Sequence, residues 1–200
     1  MIGLGRVEVT GGFLLLLAWL NYLDRSFLVP MAVLACGAHE LGHLLAIRLL
    51  GGAVREIRLT AIGAELVLAG PLGYWQEGAA ALAGPGVNLL LALLCCQFSW
   101  GLSFAGLNLV LALFNLLPIG RLDGGRALYC TLALLAGPGL AAGARGWLDL
   151  LCTAAALAAG LALAAVWGNV TLLLAGLWML AVLLWDKFGR RRGKFRIFWK

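Results

Sequence analysis

The stretch that most limits how this chain can fold is the apolar run from Phe27 to Leu50, because Ala38-His39-Glu40-Leu41-Gly42-His43 lies in its middle. A run of that length reads as a membrane-crossing helix. Ionisable side chains are costly at membrane depth and are kept there when they serve a purpose. Residues four apart on a helix share a face. His39 and His43, the only two histidines of the chain, would therefore offer two imidazoles to one metal ion, with Glu40 in reach of water at that ion. The flanks Val33-Leu34-Ala35-Cys36 and Leu44-Leu45-Ala46-Ile47 set this H-E-x-x-H apart from a chance match on a solvated helix.

Similar runs recur along the chain. Of its 200 residues, 63% are hydrophobic and 12% charged, with a mean hydropathy of +0.99, which leaves too little polar surface to cover a water-soluble globule. The expected fold is an all-α polytopic membrane protein of about six transmembrane helices. They are Gly11 to Leu23, Phe27 to Leu50, Gly78 to Phe98, a broken segment from Gly101 to Ala136, Leu150 to Trp167 and Val170 to Trp185. The first is short and crosses a bilayer only if Val7 to Thr10 contribute. Met1 to Thr10 carries one Arg and one Glu, and no small-residue cleavage site follows, so a cleavable signal peptide is not expected. The five cysteines all fall in apolar runs without a C-x-x-C pair and read as buried free thiols.

Between the second and third spans, Gly51 to Tyr74 alternates apolar and polar residues around Gly63 and ends at Gly70-Pro71, which predicts a small β-hairpin or sheet. An open sheet edge cannot face lipid, so this element belongs at the interface or along a cavity. It serves either as a connection or as a template for an extended substrate peptide. Gly137 to Asp149, rich in Gly and Ala and containing Arg145, reads as a loop. The tight Gly168-Asn169 joins two scaffold spans.

The formal net charge of +6 raises the question of a nucleic-acid partner. Seven of the fifteen basic residues, however, lie within the last fourteen positions, directly after an apolar span. Residues 187–200 are thus expected to be a basic cytoplasmic tail held against anionic lipid, with Phe195, Phe198 and Trp199 interleaved, and no nucleic acid is expected as a partner. Six spans with both termini in the cytoplasm place Arg6, Arg48, Arg55, Arg58, Arg145 and the tail inside, and leave Arg25 outside.

The broken segment holds the second half of the chemistry. Pro118, Gly120, Gly124 and Gly125 are expected to unwind the helix there, a state tolerated at that depth only where protein or a water-filled cavity covers the backbone. Of the nine acidic residues, only Glu40 and Asp123 lie in apolar surroundings, so elimination makes Asp123 the third ligand. Two imidazoles and a carboxylate suit Zn²⁺ with one open position for water. Glu40 is placed to take a proton from that water and pass it to a leaving amine, and the reaction is expected to be peptide hydrolysis. Asn88 and Asn115 are candidate substrate-binding residues, each with a hydrogen bond within the protein as the alternative. The same constellation would also serve a non-proteolytic membrane metal carrier or sensor, in which Glu40 is dispensable, or a scaffold whose buried polar groups only specify packing.

Helical His39-Glu40-Leu41-Gly42-His43, Gly84-Pro85-x-x-Asn88 in the next span and Asn115-Leu-Leu-Pro-x-x-x-Leu-Asp123-Gly-Gly in a later one resemble the site-2 protease family of intramembrane zinc metalloproteases. The resemblance runs from about Ala35 to Arg126. It implies that His39, His43 and Asp123 bind zinc, that Glu40 is the acid and base, that Asn115 contacts substrate, and that residues 1–186 form the transmembrane metalloprotease domain. It also implies as partners a membrane-tethered protein substrate, the lipid bilayer and candidate inhibitory membrane proteins, in a bacterial cytoplasmic membrane. Arg121 stands where the family often has proline. No PDZ-like insertion follows the third span. The compact layout resembles the bacterial stage IV sporulation metalloproteases, which release a membrane-associated pro-sigma factor, without the C-terminal CBS domain usual in that branch.

Overall fold

The computed structural model describes residues 6–60, 63–120 and 122–190. Arg121, Met1 to Gly5 and the tail from Arg191 onward lie outside the described residues, and with them the expectations for Arg121 and for most of the basic tail. In chain order the elements are β1 (Arg6–Val9), α1 (Gly11–Leu23), α2 (Leu28–Leu49), β2 (Val54–Thr60), β3 (Gly63–Leu68), α3 (Tyr74–Cys95), a 3₁₀ turn (Ser99–Gly101), α4 (Leu102–Asn115), α5 (Asp123–Ala136), α6 (Pro138–Trp167) and α7 (Thr171–Arg190).

Three of these helices, α2, α3 and α6, are long and apolar enough to cross a membrane. At 1.5 Å per residue the 22 residues of α2 and of α3 reach about 33 Å, the thickness of a hydrocarbon core. The 13 residues of α1 reach only about 20 Å. Its start is fixed by Thr10, whose hydroxyl accepts from Phe13 N at 3.3 Å. α4 and α5, 14 residues each, are the two halves of the expected broken segment. The turn between α1 and α2 is organised by Asp24, which accepts from Ser26 N and Val29 N at 2.8 Å each. Those bonds, led by the one from Val29, hold its carboxyl below the ordinary value.

Four helices form the packed centre. α3 lies against α2, α4 and α5, and the α6–α7 pair joins this group chiefly through α5. α2 and α3 approach closely at Gly42, where a Cβ would stand 2.9 Å from Ala83 O, the small-residue packing that membrane helices use. Large apolar side chains such as Leu15, Trp100, Trp147 and Trp167 face outward, as a lipid-facing surface requires.

The segment after α2 is the predicted sheet. β2 pairs antiparallel with β3, and their inner faces pack on the end of α2 through Ile47, Val54, Leu66 and Ala80. The sheet has a third member, because β1 pairs parallel with β2, with Val7 opposite Ile57 and Val9 opposite Leu59. Val7 to Thr10 therefore does not extend the first span. The alternation Arg6-Val7-Glu8-Val9 is the local signal for a strand.

The stretch read as a loop from Gly137 to Asp149 is helical. α6 runs unbroken over 30 residues from Pro138, because proline at the first helical position needs no hydrogen-bond partner and alanines occupy many of the later positions. Gly124 and Gly125 are likewise inside α5 rather than in the unwound stretch, which among the described residues comprises 116–120 and 122.

Candidate metal centre

α2 places His39, Glu40 and His43 on consecutive turns, and α5 brings Asp123 to them as its first residue. A carboxylate at a helix N-terminus is favoured by the helix dipole. His39, His43 and Asp123 are all buried. His39 Nε2 stands 3.1 Å from His43 Nε2, and Asp123 Oδ2 lies 3.1 Å from the first and 3.2 Å from the second. The three atoms form a nearly equilateral triangle.

The protons of the two rings are assigned by their other nitrogens. His43 Nδ1 lies 2.8 Å from the carbonyl oxygen of Ala80, which can only accept, so Nδ1 carries the hydrogen and the neutral ring leaves a lone pair on Nε2. His39 Nδ1 lies 2.5 Å from Asn88 Oδ1. That oxygen is identified because the Asn88 amide nitrogen donates to Ala35 O at 3.1 Å and to Asn108 Oδ1 at 2.7 Å. His39 therefore also turns a lone pair inward. Asp123 Oδ2 is buried and accepts no hydrogen bond. Three acceptors facing one another in an apolar interior are unfavourable unless a cation lies among them. Ligands of a tetrahedral zinc ion stand about 3.3 Å apart, close to the separations here, so these residues fit that ion.

α3 supplies the supports. Ala80, one turn before Gly84, gives its carbonyl to His43. Gly84 keeps the histidines clear: a Cβ there would overlap His43 Nε2 and press on Cε1 of both rings. Asn88 is fully buried. Its amide is bonded to His39, Ala35 and Asn108. Asn108, also fully buried, donates onward to Phe104 O at 2.9 Å. Asn108 is absent from the residues that the sequence motifs single out. An amide inside the apolar run of α4 was the available signal, since such a group needs a partner at that depth.

Residues 116–120 fold tightly over the start of α5. A Cβ on Gly124 would overlap the carbonyl oxygen of Leu116, and one on Gly125 that of Ile119. The glycines after Asp123 are thus what lets the loop backbone come so close. Arg126, one turn on from Asp123, pairs with Glu77 of α3 at 2.8 Å, tying α5 to the helix that supports the histidines. Asn115 sits at the last residue of α4, where its amide donates to Leu111 O at 3.0 Å. Glu40 has one buried carboxylate oxygen without a hydrogen-bond partner and lies within electrostatic reach of His39, His43 and Asp123.

The chain thus joins a helical histidine pair to a carboxylate that opens a later helix. Its fold is that of the site-2 protease from Methanocaldococcus jannaschii, with a TM-score of 0.66 over 90% of this chain and 89% of that one, at 23% identity. Over 129 residues the chain is 35% identical to a Synechocystis protein named "Putative zinc metalloprotease sll0528". The match spans 55% of this chain and about a third, 31%, of that protein. No profile of a known family matches the chain. Fold and relative together support the site-2 protease family for this membrane protein.

Proposed function

We propose that the chain is an intramembrane zinc endopeptidase that hydrolyses a peptide bond in or near a transmembrane segment of a membrane-associated protein. The observation that carries this proposal is the triangle of His39 Nε2, His43 Nε2 and Asp123 Oδ2 at 3.1–3.2 Å, with its lone pairs directed inward. In this account those three residues hold the zinc ion. When bound, zinc supplies a Lewis acid that makes water nucleophilic near neutral pH. Glu40 takes the proton of the attacking water and returns it to the departing amine, a role supported by its buried, unpartnered oxygen. Asn115, at the lip of the unwound loop, is assigned to the substrate backbone.

Within this proposal the chain crosses the membrane six times, with α4 and α5 as one interrupted span, α1 and α7 as the outer spans, and both termini in the cytoplasm. The substrate class that fits is a membrane-tethered transcription factor, a pro-sigma factor among them, and sporulation is one setting for such a reaction.

The test is co-expression with a panel of membrane-tethered transcription factors, combined with metal analysis of purified protein. Wild type should carry about one zinc per chain and release a soluble fragment, and Glu40→Gln should keep the metal and lose the fragment. Cleavage by Glu40→Gln would refute the mechanism. Metal uptake that needs His39 and Asp123, with no fragment from any substrate, would favour the carrier or sensor.

A further inference from the structure

The α6–α7 pair meets the rest of the bundle chiefly through α5, yet α6 also reaches Gly120 in the loop that precedes Asp123. Both backbone polar groups of one residue, Gly120, are held there. Gly120 N donates to Asp149 Oδ1 at 2.5 Å, and Arg145 Nη2 donates to Gly120 O at 2.5 Å. Arg145 and Asp149 are one helical turn apart on α6, with Nε to Oδ2 at 3.9 Å, and the guanidinium lies over the Tyr129 ring of α5, 5.9 Å from its centre. Only glycine admits this grip, because a Cβ on residue 120 would overlap the Arg145 guanidinium and crowd the Asp149 carboxylate. Gly120 stands three residues before Asp123, and the neighbouring Ile119 O accepts from Leu122 N at 2.8 Å, next to the carboxylate residue.

We infer that Arg145 and Asp149 are positioning residues for the metal centre: by fixing the Gly120 peptide from α6 they set where Asp123 stands relative to His39 and His43. The inference rests on the zinc assignment above. It goes beyond the satisfaction of the backbone groups of a half-buried residue, because it requires that loss of the clamp alter the metal site itself. Groups that orient a ligand from behind typically contribute about 10–100-fold in metal affinity.

The experiment uses the full chain in detergent, stripped of metal and titrated with Co²⁺ against a chelator of known affinity while the visible absorption of the bound ion is recorded. Asp149→Leu and Arg145→Met should each bind about 10–100-fold more weakly than wild type, with a changed absorption band. Asp149→Asn keeps an acceptor for Gly120 N–H and should stay close to wild type in both respects. Wild-type affinity and band in Asp149→Leu, or in Arg145→Met if the first variant does not fold, would overturn the clamp and leave the zinc assignment intact. A lowered melting temperature with unchanged affinity and band would overturn it equally. A wild-type chain that binds no Co²⁺ would sink the zinc assignment, and the clamp with it.

Discussion

His39 Nδ1 faces Asn88 Oδ1 across the α2–α3 interface at 2.5 Å, and this contact decides which nitrogen of the ring is free for a metal. Asn88→Leu removes the acceptor and frees the ring to rotate or change tautomer. Metal affinity is expected to fall about 10–100-fold, measured by chelator competition. Asn88→Asp keeps an oxygen toward His39 but loses the donors to Ala35 and Asn108. It should retain metal better than Asn88→Leu and melt at a lower temperature than wild type.

Asn108 acts one step further back. Asn108→Leu leaves an Asn88 N–H without its acceptor in a dry interior, a loss of about 1–3 kcal/mol. Thermal unfolding in detergent should show that loss, with a smaller effect on metal affinity than Asn88→Leu. An affinity loss equal to that of Asn88→Leu would mean that Asn88 is oriented from Asn108 alone and not also by Ala35.

Gly84→Ala tests the space beside the histidines. The added methyl would overlap His43 Nε2 and press on His39 Cε1, moving both lone pairs off their common point. Metal retention should drop at least tenfold while helical content by circular dichroism stays unchanged, because alanine favours the helix over glycine. Unchanged metal retention would show that α3 can move away from α2 at little cost.

Gly125→Ala meets backbone instead of a side chain. Its methyl would run into the Ile119 carbonyl, and neither group can rotate away. A destabilisation of about 1–3 kcal/mol is expected, together with weaker metal binding, since the same loop leads into Asp123. Gly139→Ala, in open space at the start of α6, is the control and should change neither.

The parts of the site that were legible are those with a local rule behind them. His39 and His43 share a face because four residues make about one helical turn, and Pro118 marks the interruption before α5 because its ring and missing N–H stop a helix. Asp123 was reached by elimination, and the structure brings it to the two rings. What was not legible depends on partners distant in sequence. Gly124 and Gly125 read as helix breakers, whereas they are helical residues made necessary by the carbonyls of Leu116 and Ile119. β1 carries an alternation of only four residues, too short to mark a strand without β2 beside it. Arg145 looked like a loop charge until α6 proved to begin at Pro138.

Eighty residues separate His43 from Asp123. A ribosome delivers both imidazoles, and Glu40 between them, well before the carboxylate that completes the triangle. The nascent chain therefore passes through its own insertion with an incomplete centre, and the triangle closes only when α5 docks beside α3.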